Sequence, residues 1–391
     1  MLDLTTVLAG PFAAYQLSLL GADVVKIEMP DAGDLSRDLG DVEALKDALM
    51  GPSFLAQNAG KRSIGLDLKS EAGREIFRRL LQNSDVLLEN MRPGVLTRLG
   101  FSWDVVHEIN PRLIYCALTG FGQDGPLSQR TAYDQIIQGL AGMVSVTGHA
   151  SGDPLRVGFP ICDTLGGFAA AMAINAALAR RVHDPEGCFL DISMLETALT
   201  AMGWVVSEQL IGGHAATRHG NDNAASSPSG TFQTSDGPLN IATNTQKQFH
   251  ALLGVLERSE LASDPRFVER SDRKRNRQAL TDELETTLRT KTAATWESLL
   301  ADVSVPCGRI LTLEEALVQE QVQVRGLVHT IAMDLPDRDH VAVLGSGIHV
   351  DSTTLAPRCA PPRLGEHTEE LLREIGYTPS EIEEFREHNV I

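Results

Sequence analysis

The sequence predicts an α/β fold, with a large domain built on a parallel, doubly wound sheet and a smaller α+β domain after it. Apolar segments of strand length alternate with amphipathic or alanine-rich segments of helix length between residues 2 and 211. From Gly212 to Gly230 the chain is rich in Gly, Asn, Ala and Ser, which is typical of a linker or an active-site loop. We therefore assign residues 1–211 to the large domain, residues 212–230 to this loop and residues 231–325 to the small domain.

A strand–helix–strand unit opens the chain. Residues 2–7 (LDLTTV) have the composition of a strand, and residues 23–28 (DVVKIE) predict a second one. Between them, Pro11 suits the first turn of a helix and Gly21 suits its end, so we predict a helix over residues 12–20. This unit is the building block of a parallel sheet.

The remaining elements follow the same reasoning. Further strands are predicted at residues 63–67, 85–89, 112–118 and 189–194, and helices at 70–81, 103–109, 132–143, from 166 and at 195–211. The small domain is predicted to contain a hairpin at 231–243, helices at 246–256, 273–290, 295–300 and 313–322, and a strand at 307–311. Two helices, at 367–375 and 380–387, end the chain.

The charge balance argues against a nucleic-acid-binding protein. The chain has 34 Lys and Arg against 52 Asp and Glu, a net charge of −18, whereas such proteins present basic surfaces. The five cysteines are far apart and form no CxxC pair or Cys/His cluster, so we expect reduced thiols, a cytosolic protein and no metal site. We also expect no signal peptide, and no apolar run long enough to cross a bilayer.

The loop after the first strand lacks the dinucleotide-binding fingerprint, and two other common motifs are absent from the chain. The loop after the first strand, residues 8–12 (LAGPF), has one glycine and no GxGxxG, so its backbone lacks the close approach that a dinucleotide pyrophosphate needs. The chain has no GxxxxGK[ST] phosphate loop and no GxSxG serine elbow. The α/β pattern therefore does not indicate a nicotinamide enzyme.

Residues 158–181 (GFPICDTLGGFAAAMAINAALARR) carry the strongest candidate for a reacting side chain. A Gly-Phe-Pro breaker is followed by a short apolar run that ends in Asp163, and an alanine-rich helix is predicted from Gly166. Asp163 thus lies where unpaired N–H groups and the helix dipole favour negative charge. The residues alone leave two roles open for it, a helix N-cap or an exposed anionic nucleophile.

Several blocks of the sequence resemble one enzyme family. They are LDLTTVLAGPFAA at residues 2–14, LGADVVKIE at 20–28, NAGKRSIGLDLKS at 58–70, ENMRPGVLTRLGF at 89–101, INPRLIYCALTGFGQDGP at 109–126, the pair Tyr133-Asp134, Asp163, and PPRLGEHTEELLREIGY at 361–377. In this order and spacing they resemble the class III CoA-transferases, the formyl-CoA transferase and carnitine CoA-transferase type.

The resemblance implies a fold and a chemistry. It implies a Rossmann-like large domain and an interlocked homodimer. It also implies that the C-terminal segment, residues 326–391, forms a linker and then returns to complete the large domain. It implies coenzyme A thioesters and free carboxylic acids as substrates. Asp163 would attack the acyl-CoA carbonyl, giving an anhydride and then an aspartyl-CoA thioester, and backbone N–H groups of residues 227–230 would stabilise the oxyanion.

The same resemblance implies CoA contacts. The matching positions are Val7, Leu8 and Ala9 along the CoA path, and Leu66, Asn90 and Arg98 at the nucleotide or pantetheine. Formyl-CoA transferases carry glutamine where this chain has Leu8, which disfavours a formyl or oxalyl substrate. A family arginine at the nucleotide end is replaced by Met29, so we expect Lys61 or Arg92 to neutralise phosphate.

Two alternative functions remain open. The related α-methylacyl-CoA racemases use a His-Asp pair for proton transfer, but their histidine falls at Tyr133, a poor base at neutral pH; His149 is a possible substitute. Asp134 is either an exposed helix residue or a support for Asp163. The second alternative is a non-catalytic acyl-CoA-binding protein. Arg130 and His149 are candidates for binding a second carboxylate of the acid.

Overall fold

The computed structural model describes all 391 residues, which form two compact units. The larger unit comprises residues 1–144, 156–215 and 320–391, and the smaller comprises residues 145–155 and 216–319. The chain therefore leaves the larger unit twice and returns to it at the C-terminus.

A six-stranded parallel sheet forms the centre of the larger unit. Its strands are β1 (Leu2–Leu4), β2 (Val24–Glu28), β3 (Lys61–Gly65), β4 (Val86–Glu89), β5 (Ile114–Thr119) and β6 (Cys188–Ser193). Their order is β3-β2-β1-β4-β5-β6, and every neighbouring pair is parallel. The predicted α/β class and parallel sheet are confirmed, and the order is the one found in dinucleotide-binding folds.

Helices connect these strands. They are α1 (Ala9–Leu19), α2 (Glu43–Asp47), α3 (Pro52–Asn58), α4 (Glu71–Gln82), α5 (Val95–Arg98), α6 (Trp103–Ile109), α7 (Asp134–Leu140), α8 (Met143–Val146), α9 (Ile161–Arg180), α10 (Met194–Ala201) and α11 (Gly203–Leu210), with a 3₁₀ helix at Leu35–Asp38. The single helix predicted over 195–211 is thus two helices, which meet at Met202.

Both faces of the sheet are covered, as expected for parallel strands. Leu87 of β4 points into one core, which α4, α6 and the C-terminal helices complete. Its neighbour Leu88 points into the opposite core, formed with α1, α7, α9 and α10. This alternation explains why the strands are apolar in nearly every position rather than in every second one.

The C-terminal segment packs on the larger unit. It contains α17 (Glu320–Val324), the hairpin β10 (Val328–Leu335) and β11 (Arg338–Leu344), the short pair β12 (His349–Val350) and β13 (Thr353–Thr354), α18 (Thr368–Glu374) and α19 (Pro379–Glu387). Leu372 and Ile382 are buried in the first core, and the Asp67 N–H donates to Val390 O at 2.8 Å. The hairpins were not predicted, because this stretch was assigned as a linker.

The smaller unit combines an antiparallel sheet with helices. Its strands are β7 (Ser229–Gln233), β8 (Pro238–Ala242) and β9 (Cys307–Arg309), and its helices are α12 (Gln246–Val255), α13 (Arg270–Arg275), α14 (Arg277–Leu288), α15 (Ala293–Asp302) and α16 (Leu313–Leu317), with a 3₁₀ helix at Ser259–Ala262. Residues 145–155 belong to this unit, whereas we had assigned them to the large domain. Arg218 explains the difference, because its guanidinium donates to His149 O at 3.2 Å and to Gly152 O at 3.0 Å.

Helix α9 differs from its prediction in two ways. It begins at Ile161 rather than at Gly166, so Asp163 lies within its first turn. The helix also has the length and composition of a membrane span, with a mean hydropathy of 1.5 over its most apolar window, contrary to our expectation that no such stretch exists. It packs on α1, and the core helix of a soluble protein meets the same two criteria.

Candidate active site

Two cavities lie at the carboxyl ends of the parallel strands, where such sheets bind ligands. The switch in strand order falls between β1 and β4, which lie side by side although they are far apart in the chain. The loop after β1 and the loop after β4 therefore meet at this edge. Both loops contribute to both cavities.

The first cavity has a volume of about 300 Å³, and we call it the Asp163 cavity. The predicted site residues that line it are Val7, Leu8, Ala9, Asn90, Tyr133 and Asp163, with Arg92 beside them. Residues from four separate segments of the sequence are thus brought to one place.

Asp163 is the third residue of α9 and not its N-cap, which is Pro160. The capping role that we left open is therefore wrong. Burial raises the pKa of Asp163 to about 7, and the negative charge of Asp134 contributes in the same direction. No hydrogen bond stabilises the charged form of this carboxylate, which leaves its oxygens available on the cavity wall.

Asp134 binds the first turn of α9 through a hydrogen bond. It is 8% exposed, so the alternative of an exposed helix residue is wrong. Its Oδ1 accepts the Cys162 N–H at 2.7 Å, which satisfies one of the unpaired donors in the first turn of α9. Asp134 does not line the Asp163 cavity, so it positions the helix that carries Asp163 rather than facing a substrate.

Gln138 completes this arrangement, and the sequence analysis did not identify it. It is fully buried, its Nε2 donates to Asp134 Oδ2 at 2.6 Å, and its Oε1 accepts the Val157 N–H at 2.8 Å. The side chain therefore links α7 to the segment that precedes α9. Its place four residues after Asp134 on one helix is the only signal in the sequence that pointed to it.

Tyr133 is the N-cap residue of α7 and is 61% exposed. Its ring lines the Asp163 cavity, as expected if it faces a substrate. No histidine lines that cavity. His149, the candidate second base for a racemase, lies in the smaller unit with its backbone bound by Arg218.

Asn90 holds the loop after β1 in place. Its Oδ1 accepts the Thr6 N–H at 2.9 Å and its Nδ2 donates to Thr6 O at 2.9 Å. Both polar atoms of the amide are thus used on the loop backbone. Asn90 lines the cavity, and its amide shapes the wall formed by residues 6–9.

The second cavity, of about 270 Å³, is lined by the predicted CoA contacts Met29 and Leu66, and we call it the Leu66 cavity. Most of its wall is apolar, with Lys69 as a cation that the sequence analysis did not single out. Thr6 lines both cavities, so they adjoin across the loop after β1.

Lys61 does not belong to this site, and its assignment to a CoA phosphate is wrong. The side chain is fully buried, and its Nζ donates to Asp3 Oδ2 at 2.8 Å, to Asn58 Oδ1 at 2.9 Å and to Pro11 O at 3.0 Å. An ammonium with all three donors used has none left for a ligand.

Two further arginines lie outside both cavities. Arg98 ends α5 and lines neither of them. Arg130 does not line the Asp163 cavity, whereas Arg92 does. Residues 227–230, predicted to stabilise an oxyanion, lie in the smaller unit.

Comparison with known sequences identifies relatives over almost the whole chain. A family model described as CoA-transferase family III matches residues 1–368. Succinyl-CoA:glutarate CoA-transferase of Mus musculus is 34% identical over 375 residues, which cover 96% of this chain and 85% of that protein. Acetyl-CoA:oxalate CoA-transferase of Acetobacter aceti is 40% identical over 329 residues, 84% of each chain.

A solved structure gives the same result for the fold. The crystal structure of a CAIB/BAIF family protein from Brucella suis matches with a TM-score of 0.83 and 34% identity. The match covers 96% of this chain and 97% of that one. The topology described above is thus that of a whole related protein and not of a shared fragment.

Proposed function

Because the chain belongs to CoA-transferase family III, we propose that it moves CoA from an acyl-CoA thioester to a free carboxylic acid, with Asp163 as the covalent nucleophile. The family resemblance found in the sequence is confirmed, and relatives at 31–40% identity are named CoA-transferases. The observation that carries the proposal is a half-buried carboxylate without hydrogen bonds, on the wall of a cavity at the sheet's ligand-binding edge.

The reaction would proceed by four acyl exchanges. The Asp163 carboxylate attacks the thioester carbonyl, forming a mixed anhydride and releasing CoA thiolate. The thiolate attacks the aspartyl carbonyl of the anhydride, which forms aspartyl-CoA thioester and frees the donor acid. The acceptor carboxylate attacks the aspartyl carbonyl of this thioester, which forms a second mixed anhydride and releases CoA thiolate again. The thiolate then takes the acceptor acyl group and restores the Asp163 carboxylate.

The raised pKa of Asp163 fits this role at neutral pH. A carboxylate with a pKa of about 7 is a stronger nucleophile than an ordinary aspartate, and about half of it is ionised near pH 7. Burial that raises the pKa also limits the access of water, which would hydrolyse both the anhydride and the thioester. Asp134 and Gln138 fix the helix turn from which Asp163 reacts.

The two adjoining cavities suggest how CoA lies. We place the nucleotide in the Leu66 cavity, where the wall is mostly apolar, and the pantetheine along Thr6, Val7 and Leu8 toward Asp163. With Lys61 excluded, Lys69 and Arg92 are the cations at these cavities that would meet the CoA phosphates.

The acids are proposed only as a class. Relatives are named for succinate with glutarate and for acetate with oxalate, so small dicarboxylic acids are the first acceptors to test. A panel of succinate, glutarate, oxalate, malate, itaconate, mesaconate and carnitine, read by the mass of the thioester formed, would identify the acceptor.

Intact-mass analysis tests the nucleophile. Protein mixed with its acyl-CoA donor should gain the mass of CoA less one water, and peptide mapping should place the addition on Asp163. The Asp163→Ala and Asp163→Asn variants should show no adduct and lose at least about 10³-fold in CoA exchange. An unmodified wild-type protein that exchanges CoA, or an active Asp163→Ala variant, would refute the mechanism.

We also propose a homodimer that works in a cytosolic, reducing compartment. Large apolar side chains on the later helices of the larger unit face outward, among them Met172 at 70% and Trp204 at 82% exposure. Surfaces of this kind usually mark an interface. Light scattering on a sizing column should give twice the chain mass of 42.3 kDa, and a monomer would contradict the proposal.

A further inference from the structure

The loop between β1 and α1 contains a strained residue. Val7 has a backbone φ of +69°, in the left-handed region. For a β-branched residue this conformation is a genuine outlier, and it is disfavoured because Cβ approaches the following carbonyl. Such a residue persists only where its surroundings hold it there.

A buried carboxylate holds Val7. The Asp34 Oδ1 accepts the Val7 N–H at 2.9 Å, and the same oxygen accepts the Ser36 N–H and Oγ–H, both at 2.8 Å. Asp34 is 1% exposed and pairs through its Oδ2 with Lys26 Nζ at 2.8 Å. The acceptor of the Val7 N–H is therefore itself fixed from two sides.

The residues before Val7 are fixed as well. Asp3 Oδ1 accepts both the N–H and the hydroxyl of Thr5, and Lys26 Nζ donates to Thr5 O at 2.8 Å. Asn90 binds both backbone polar groups of Thr6. Every polar backbone group from Thr5 N to Val7 N thus ends on a side chain, that of Asp3 for the Thr5 N–H and those of distant residues for the other groups.

The charges behind this loop form a buried ionic cluster of Asp3, Lys26, Asp34 and Lys61, all at 0–1% exposure. Lys26 and Lys61 outweigh the effect of burial and lower the pKa of Asp3 to about 2, and Lys26 likewise holds the pKa of Asp34 below its usual range. Buried ion pairs contribute little net stability, since desolvation offsets their attraction. What these pairs provide is a fixed position for the side chains that bind the loop.

The loop that this ionic cluster holds forms part of the wall of the Asp163 cavity. Val7, Leu8 and Ala9 line the Asp163 cavity, and Asp34 lines the adjoining Leu66 cavity. We propose that Asp34 is a positioning residue, which holds Val7 in a conformation that its own backbone disfavours and so shapes the wall against which the thioester meets Asp163. The inference rests on the proposed function for its catalytic consequence, but not for the loop geometry.

A pair of substitutions tests this coupling. Asp34→Asn should weaken the hold on Val7 and let the loop relax, lowering kcat/KM for CoA exchange by about tenfold or more. Val7→Gly removes a side chain from the cavity wall, so its own kcat/KM is the baseline for the double variant; glycine accepts a positive φ without strain. In the Val7→Gly background, the loss caused by Asp34→Asn should shrink to less than about threefold, since the loop no longer needs to be forced.

Amide hydrogen exchange of the peptide containing residues 5–9 gives a readout that does not depend on turnover. It should become faster in Asp34→Asn and return toward the wild-type rate in the double variant. Glu257→Gly is a matched control, because Glu257 is exposed, has φ +57° and lies in the smaller unit. It should change neither the kinetics nor this peptide.

Two results would overturn the proposal: unchanged exchange in residues 5–9 of Asp34→Asn, or a loss of kcat/KM from Asp34→Asn that is as large in the Val7→Gly background as in the wild type. If Asp34→Asn does not fold, Asp34→Glu replaces it in the same comparison, because it keeps the charge that pairs with Lys26 and displaces the oxygen that accepts the Val7 N–H. A wild-type protein with no CoA exchange would refute the proposed function, while the response of the loop peptide would still decide the role of Asp34.

Discussion

The raised pKa of Asp163 comes at the expense of stability. An aspartate in water has a pKa of 3.8, and burial with Asp134 nearby raises the pKa of Asp163 to about 7. The folded protein therefore binds a proton between these values that the unfolded chain does not. Stability falls as pH rises from about 4 to about 7, because ionisation in the folded state is disfavoured.

Replacing Asp163 should reverse this effect. We expect Asp163→Asn to raise the free energy of unfolding at pH 8 by about 2–4 kcal/mol, given about 1.36 kcal/mol for each pKa unit, and to change it little at pH 4. Urea denaturation at pH 4, 6 and 8 measures this. The exposed Asp124→Asn serves as control, and a gain independent of pH would contradict the prediction.

Gln138 allows a second prediction for a single residue. Gln138→Met keeps the shape but leaves Asp134 Oδ2 and the Val157 N–H without this partner, at about 1–3 kcal/mol for each buried group. We expect lower thermal stability and a lower kcat with a smaller change in KM, since the turn carrying Asp163 loosens. Exposed Gln135→Met on the same helix should leave both kinetic constants as they are.

Individual residues also show what could and could not be predicted from the sequence. Asp163, Tyr133 and residues 7–9, all named as site residues from the sequence, line one cavity, because each adjoins a strand or helix end at the sheet's ligand-binding edge. Lys61 was misplaced because its partner, Asp3, lies 58 residues away and only the paired strands bring them together. Gln138 was missed because nothing local distinguishes a buried glutamine from an exposed one.

At the scale of elements, the contact between α1 and α9 is the closest packing near the site. Phe12 and Phe168 meet edge to face at 4.8 Å between ring centroids. A Cβ added at Gly167 would lie 2.6 Å from Ala9 O and 2.8 Å from Phe12 Cδ1. Since Ala9 lines the Asp163 cavity, this contact also sets one side of the site.

A matched pair of glycines tests this contact. Gly167→Ala should force α1 away from α9, lowering stability by about 1–3 kcal/mol and reducing CoA exchange. Gly139→Ala on α7 meets nothing within 4 Å and should stabilise the helix by about 0.5–1 kcal/mol without loss of activity. Thermal melts and initial rates of CoA exchange are measured for both variants. Equal effects of the two substitutions would contradict the prediction.

Element boundaries show why some predictions were inaccurate. The Gly-Phe-Pro sequence before α9 suggested a break and a short apolar run before a helix from Gly166, but Asp134 supplies an acceptor for the Cys162 N–H and the helix begins at Ile161. The hairpin of β10 and β11 was taken as linker, although residues 328–335 alternate between more and less exposed positions as a strand should. The start of α9 thus depends on a hydrogen bond between residues 28 positions apart, which sequence patterns do not show.

At the scale of the whole molecule, the C-terminal helices complete a core that begins at the N-terminus. Leu372 and Ile382 are at most 2% exposed and pack with Leu2 and Leu4 of β1 in one cluster. We expect Leu372→Ala to cost about 2–5 kcal/mol, a large part of a typical total stability. Urea denaturation measures it, with the exposed Glu387→Ala as control, and a loss below about 1 kcal/mol would contradict this reading.

This arrangement also constrains how the protein is made. During translation, β1 leaves the ribosome first, while α18 and α19 emerge only after the smaller unit has been completed. The nascent polypeptide therefore carries an uncovered apolar sheet face for most of its synthesis, a state that favours aggregation. The need for chaperones and the expression yield should therefore depend on how soon α18 and α19 leave the ribosome.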